Sequence, residues 1–208
     1  MRLLVIGASG QLGRVIVETA LTRGHHVSGQ SRHAARVPAG ALPVAAKPDD
    51  ADRLHKALPG HDAVIFALRA GRATPDTLFS DATRALVPAM QAAGIRRLVA
   101  ITSAGSSETC AQAGWLYNRL IFPLVARPRH PDMAVQEELI AASDLDWTIV
   151  RPGPIAEGPL KGGLHAVWPV PAHVRVAAVT RAEVAEFALD AVEQQRWQRG
   201  RPLVGHFA

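Results

Sequence analysis

This 208-residue sequence has only one cysteine and no long apolar run, and both facts are informative. Its single cysteine, Cys110, has no second thiol with which to form a disulfide within the chain or a structural zinc site. The apolar run 3–6 is too short for a bilayer span or for the core of a signal peptide. We therefore expect a cytoplasmic protein with no membrane anchor and no bound metal.

Lysine and tyrosine are also scarce, and their positions exclude one common reduction mechanism. The only tyrosine is Tyr117, and the three lysines, Lys47, Lys56 and Lys161, all lie far from it in the sequence. Ketone reduction usually needs a proton donor, and a tyrosine with a lysine one helical turn later supplies one. That pair is absent here, so Tyr117 is predicted to be a packing residue. His130 is an alternative candidate for the proton donor, with little in the sequence to support it.

The excess of basic over acidic residues does not indicate a nucleic-acid partner. The net charge is +5, but the arginines are scattered and aromatic residues make up only 5% of the chain. No basic cluster alternates with aromatic side chains to form a stacking surface. We expect a small-molecule partner, no nucleic acid, and a monomer or small homo-oligomer.

Apolar runs alternate with amphipathic stretches along the chain. Strands are predicted at 3–6, 26–30, 42–46, 63–68, 97–102 and 147–150. Helices are predicted at 10–23, 49–58, 83–93, 131–142 and 180–195, with another helix possible within 108–129. This order predicts one α/β domain over 1–208, with a Rossmann-like, doubly wound parallel sheet and helices on both faces. The glycine- and proline-rich stretch 151–178 is predicted to be a loop or small C-terminal lobe on the substrate side.

The sequence GASGQLG, residues 7–13, connects the first strand to the first helix. Its glycines permit a tight turn at Gly7, close approach of a diphosphate at Gly10, and close helix packing at Gly13. The intervening residues, which we also expect to contact the cofactor, are Ala8, Ser9, Gln11 and Leu12. The alternative interpretation is a purely structural turn.

The residues after the second strand bear on the choice of cofactor. A NAD site normally places an acidic residue here for the ribose hydroxyls, whereas this chain has Ser31 and Arg32. Arg32 can form charge-assisted hydrogen bonds with a 2′-phosphate, so NADP(H) is predicted over NAD(H). The alternatives are that Arg36 binds the phosphate, or that no residue does.

Small residues follow the next two strands at the same predicted edge. Ala67 and Leu68 are expected to line the path of the cofactor toward its nicotinamide. Ser103 follows the fifth strand, where its hydroxyl is positioned to bind the nicotinamide amide or a substrate carbonyl. It is the one catalytic candidate, and the alternative is a turn residue that bonds its own backbone.

Further segments add to the glycine loop: DAVIFAL at 62–68 and three more specific ones, AAGIRRLVAITSAG at 92–105, SDLDWTIVRPGPI at 143–155 and VTRAEVAEFALDAV at 179–192. With them, the chain resembles the atypical short-chain dehydrogenase/reductases, in the NAD(P)H-binding group that includes flavin reductase/biliverdin reductase B-like and NmrA-like proteins. The resemblance implies a Rossmann-like domain with a small substrate lobe, and supports Ser31, Arg32 and Ser103 as site residues. Two positions depart from it: Lys47 replaces an aspartate near the adenine, and Met133 replaces a lysine or histidine beside the nicotinamide.

These observations favour an NADPH-dependent oxidoreductase whose acceptor is a flat conjugated molecule such as a flavin or quinone. A flavin is itself an electron sink, so it needs little help from a protein acid. Two alternatives remain open at this point. One is a non-catalytic NADP(H)-binding redox sensor, which Met133 favours, and the other is an epimerase-like member of the same group.

Overall fold

The structure, a computed structural model, describes residues 1–71, 75–104, 130–171 and 174–207. Its helices are α1 (Gln11–Thr22), α2 (Ala51–Ala57), α3 (Leu78–Ala92), α4 (His130–Ala141) and α5 (Arg181–Glu193), with a 3₁₀ turn at Ala34–Arg36. Its strands are β1 (Arg2–Ile6), β2 (His26–Ser31), β3 (Leu42–Ala45), β4 (Ala63–Phe66), β5 (Arg97–Ile101), β6 (Asp146–Pro152), β7 (Ile155–Ala156), β8 (His165–Val167), β9 (Val179–Thr180) and β10 (Leu203–Gly205).

Eight strands form one sheet in the order β3-β2-β1-β4-β5-β6-β10-β8. Every neighbouring pair is parallel except β10 and β8, which are antiparallel. The strand order reverses between β1 and β4, and ligands of such sheets bind beyond the carboxyl ends of the strands at that point. The predicted Rossmann-like fold is confirmed, and β7 and β9 form a separate parallel pair.

Alternate side chains of the central strands enter two different cores. On β1, Leu3 and Val5 pack with α1 and α5, whereas Leu4 and Ile6 pack with α2, α3 and α4. Successive residues of a strand point to opposite faces, so a strand covered on both faces is apolar throughout. Within the described part of the chain, no helix is both long enough and apolar enough to span a membrane.

Helix α3 begins at Leu78, five residues before the predicted start at position 83. The carboxylate of Asp132, on α4, accepts the backbone N–H groups of Phe79 at 2.7 Å and Ser80 at 3.2 Å. This distant carboxylate caps the first turn, and no local sequence signal reports it. The cap also attaches the start of α4 to α3.

Two other differences concern the end of the chain. The stretch 151–178, predicted to be mostly loop, contains the short strands β7 and β8, and β10 was not predicted. Strands of two or three residues carry too little periodicity to be recognised, and their pairing partners hold them in place. The possible helix within 108–129, with Cys110 and Tyr117, lies outside the described residues.

The start of α5 matches the prediction closely. Glu183 N–H donates to the Thr180 hydroxyl at 3.2 Å, and Thr180 N–H donates to the Glu183 carboxylate at 2.8 Å. This reciprocal capping box fixes where the helix begins. It therefore fixes the position of Arg181, the first residue of α5, next to the start of α1.

Candidate functional site

The glycine loop is a tight turn that larger residues cannot form. Gly7 has φ +83°, and a Cβ built there would lie 2.6 Å from the carbonyl oxygen of Ala67. A Cβ at Gly13 would lie 2.1 Å from the carbonyl oxygen of Gly7. Both positions therefore exclude a side chain, and at Gly13 the close neighbour is the backbone of the turn itself. The start of α1 is thereby held against the end of β1.

The side chain of Gln30 holds this turn in place by hydrogen bonds, a role that was not predicted from the sequence. Its side chain is buried; the carboxamide oxygen accepts Gly7 N–H at 3.0 Å, and the amide nitrogen donates to the Ala46 carbonyl at 2.6 Å. The Gln30 carbonyl also accepts Ala8 N–H at 3.0 Å. One glutamine thus links the glycine loop to the chain that follows β3. The strand around it has the sequence HVSGQS, in which a glutamine does not stand out, so the sequence offered no signal for this role.

The N-terminus of α1 is suited to an anion. Gly10 is its N-cap and provides no side-chain cap, and the first turn contains no acidic residue. The N–H groups of this turn have no acceptor within the helix, and the helix dipole adds partial positive charge. A phosphate group placed here receives those hydrogen bonds.

A cavity of about 380 Å³ opens beside the loop, at the carboxyl ends of β1, β2 and β4. It is lined by Gly7, Ser9, Gly10, Gln30, Ser31, Arg32, Arg36, Pro48, Leu68, Arg69, Ala70, Gly71 and Leu78. This lining includes three arginines, and no carboxylate is among the described residues that form it. The cavity therefore lies where the strand order predicts a ligand and carries positive charge.

Both arginines proposed for a 2′-phosphate border this cavity. Arg32 and Arg36 are exposed, so their guanidinium groups are accessible to a ligand. The hydroxyl of Ser31 is buried; it lies 2.8 Å from the Ser9 hydroxyl and accepts His33 N–H at 3.0 Å. Ser31 thus connects the glycine loop to the turn that carries the two arginines.

The predicted site residues do not all line one cavity. Those that do are Gly7, Ser9, Gly10, Ser31, Arg32 and Leu68, whereas Ala8, Gln11, Leu12, Gly13, Ala67 and Ser103 are not among the described residues of its lining. Ala67 is buried behind Gly7 and donates its N–H to the Ile6 carbonyl. Ser103 follows β5 and is half-buried, as is Met133 on α4. His130 is the first residue of α4.

A buried ion pair lies beneath the carboxyl ends of β5 and β6. Arg151 on β6 donates to the Glu137 carboxylate on α4 from Nη2 at 2.5 Å and from Nε at 3.2 Å, and both side chains are fully buried. The Thr102 hydroxyl donates to the same carboxylate at 2.7 Å. The Glu137 carboxylate therefore connects α4 to β6 and to Thr102, which follows β5 and directly precedes Ser103. This pair was not predicted from the sequence.

Within the described ranges, no three or more histidine, cysteine, aspartate or glutamate side chains cluster closely enough to bind a metal ion. The glycine turn, the uncapped helix start and the basic cavity at the strand-order reversal together define a dinucleotide-binding α/β protein. Residues 7–195 match the NAD(P)H-binding family, and the chain belongs to that family.

Two curated relatives illustrate the range of the family. The chain is 29% identical over 225 residues to the photosystem II assembly factor Ycf39 of a Synechocystis species, covering 99% of this chain and 63% of that protein. It is 33% identical over 172 residues to a 3-diazoavenalumate denitrifying reductase of a Streptomyces species, covering 74% of this chain and 56% of that protein. The chain thus spans less than two thirds of each.

Solved structures confirm the fold. A short-chain dehydrogenase/reductase of Veillonella parvula in complex with NADP superposes with a TM-score of 0.83 at 19% identity, covering 99% of this chain and 94% of that one. ChuY, an anaerobillin reductase of Escherichia coli O157:H7, has a TM-score of 0.81 at 21% identity, covering 99% and 97%. The family match confirms the predicted resemblance to the NAD(P)H-binding group, and the curated relatives of the chain include one named a reductase and one named a sugar epimerase.

Proposed function

We infer that the protein is an NADPH-dependent reductase of a flat, conjugated acceptor, such as a flavin or quinone. The observation that carries this inference is the basic cavity beside the glycine loop, with Arg32 and Arg36 in its lining. A 2′-phosphate is strongly anionic and matches the forked donors of arginine. No carboxylate is present in the described lining to repel it.

The roles of the remaining residues follow from their positions. The backbone of residues 7–13 and the N-terminus of α1 would hold the diphosphate. Leu68, with Ala67 behind it, would line the route toward the nicotinamide. Ser103, after β5, would offer its hydroxyl to the nicotinamide amide or the acceptor. The bound cofactor supplies a hydride.

The acceptor class is inferred from the missing acid. The sequence has no tyrosine–lysine pair at helical spacing, and Met133, half-buried on α4, has no proton to donate. A conjugated acceptor spreads the added charge over its ring system, so hydride transfer proceeds with little protein acid catalysis. Ser103 and residues 151–168 would position such a ring and exclude water. One relative is named a reductase, which is consistent with this proposal.

A second candidate function is a non-catalytic NADP(H)-binding sensor that acts through a partner protein. Met133 favours it, because a thioether at this position neither donates a proton nor carries a charge. Another relative is named an assembly factor rather than an enzyme. An epimerase is less well supported, because the tyrosine–lysine pair is absent. We place either function in the cytoplasm, since a chain with one cysteine needs no oxidising compartment.

The decisive experiment measures NADPH oxidation by the purified protein across a panel of flavins and quinones, with NADH in parallel. NADPH binding is measured in the same samples by nicotinamide fluorescence. Turnover that prefers NADPH supports the reductase. Binding without turnover of any acceptor supports the sensor, and absence of NADPH binding contradicts both.

A further inference from the structure

Two arginines from distant parts of the chain converge on one neutral side chain at the start of α1. The carboxamide oxygen of Gln11 accepts Arg69 Nη1 at 3.0 Å and Arg181 Nη2 at 3.1 Å. Gln11 is the first residue of α1, Arg69 follows β4, and Arg181 is the first residue of α5. Three elements thus bring two guanidinium groups to the edge of the glycine loop.

The positive charge at this point is not balanced by the surrounding carboxylates. Arg69 has no carboxylate partner in the described part of the chain. Arg181 pairs with Glu157 at 3.2 Å, but the Glu157 side chain is 82% exposed. Water and salt screen such a pair, so its interaction energy is small. Glu183 is occupied by the Thr180 and Lys161 N–H groups and by His206. Glu157 therefore offsets the charge of Arg181 only in part, and the Gln11 amide oxygen adds no negative charge, so the two guanidinium groups together remain net positive.

We propose that Arg69 and Arg181 form a binding site for an oxyanion, a phosphate or a carboxylate, at the border between the glycine loop and the C-terminal segment. Each guanidinium presents several donors in a fixed plane, which suits the paired oxygens of such a group. The proposal rests on the proposed function, and it adds a chemical requirement for the ligand.

Two ligands can supply this oxyanion: an acidic acceptor or the diphosphate of the cofactor. Arg69 borders the basic cavity, which is consistent with either one. Arg181 directly follows β9, which pairs with β7 in the segment proposed to shape the acceptor pocket. This position favours the acceptor. We therefore expect the preferred acceptor to combine a flat conjugated ring with a phosphate or carboxylate.

Flavin mononucleotide and riboflavin test this requirement directly, because they share one ring system and differ by a phosphate. Binding of each is followed by flavin fluorescence with NADP⁺ present, so that no turnover is needed. We expect flavin mononucleotide to bind about tenfold more tightly, which corresponds to one charge-assisted contact. Arg69→Ala and Arg181→Ala should each remove this preference. Arg84→Ala, on the exposed face of α3, should retain it.

Gln11 offers a second variant that leaves both arginines in place. Gln11→Glu puts a carboxylate between them that offsets one of the two positive charges and occupies the donors of both, so the preference for flavin mononucleotide should disappear without a fall in Tm. Gln11→Ala removes the amide oxygen but keeps the positive charge, so the preference should persist. Comparing the two variants separates charge from folding.

ADP-ribose, which contains the diphosphate but neither the nicotinamide nor a 2′-phosphate, distinguishes the two sources. If the arginine variants weaken ADP-ribose binding about tenfold and leave the flavins unchanged, the pair binds the diphosphate of the cofactor. If neither ligand is affected, the oxyanion site is refuted. Because all readouts are binding measurements, the site is tested even if no acceptor is turned over and the proposed reductase fails.

Discussion

The buried pair of Glu137 and Arg151 leads to the strongest stability prediction. Glu137→Leu removes the partner of a guanidinium that is fully buried and held at 2.5 and 3.2 Å. Arg201 also lies 3.8 Å from the Glu137 carboxylate, but it keeps Glu138 as its partner at 2.8 Å, so Arg151 is the cation that is left uncompensated. A buried charge without its partner costs about 3–5 kcal/mol. The Thr102 hydroxyl also loses its acceptor, which adds about 1 kcal/mol.

For a chain of this length each kcal/mol lowers Tm by roughly 2–4 °C, so the variant should melt roughly 8–24 °C below the wild type. Equilibrium urea unfolding followed by circular dichroism gives the free-energy change directly. Glu138→Gln is the matched control. Glu138 is the next residue on α4, but its side chain is 69% exposed and its carboxylate pairs with Arg201 at the surface. The control should change stability by less than about 1 kcal/mol.

The double variant Glu137→Leu with Arg151→Met decides whether the unpaired charge is the cause. Replacing both members of a buried pair by apolar residues of similar size is often neutral or stabilising. The double variant should therefore recover most of the loss seen in the single variant. If it is as unstable as Glu137→Leu alone, packing rather than electrostatics explains the effect, and the reasoning is wrong.

Three further predictions concern cofactor choice, the glycine turn and pH. Arg32→Ala should weaken NADPH binding by about 10- to 100-fold and NADH binding hardly at all, as measured by fluorescence titration; equal losses would show that Arg32 does not bind the 2′-phosphate. Gly13→Ala should lower Tm and abolish NADPH binding, because its Cβ would lie 2.1 Å from the Gly7 carbonyl oxygen. Burial alone would raise the pKa of Glu193, but hydrogen bonds, led by that from His25, lower it below the usual 4.5. Its contribution to stability is therefore present above about pH 4.5 and lost as the pH falls through the lowered pKa, and Glu193→Gln should flatten that part of a Tm-against-pH curve.

Much of the sheet could be predicted from the sequence because its strands are buried on both faces. A strand such as β1 is then continuously apolar, and the helices α1 and α3 each show one apolar face. The glycine loop was predictable for a related reason: only glycine tolerates the backbone of Gly7 and the contact at Gly13. These are local constraints, and they appear in the sequence where they act.

Other features depend on residues that are far apart in the chain. The first turn of α3 is capped by Asp132, more than fifty residues later, so no nearby residue announces its start. Strand β10 exists because β6 and β8 supply its hydrogen-bond partners. Strand β2 has the sequence HVSGQS and is mostly polar, so nothing in the sequence distinguished Gln30 from its neighbours.

The sequence by itself therefore determined the order of β1–β6 and of the five helices, the glycine turn, and the positive charge that follows β2. Each of these follows from the local periodicity, backbone geometry or charge of a short segment. Only the tertiary structure decided that Arg69 and Arg181 meet at Gln11, and that Glu137 pairs with Arg151 beneath the site. The physical reason is that side-chain contacts depend on where whole elements pack, and that packing is a property of the entire core rather than of any one segment.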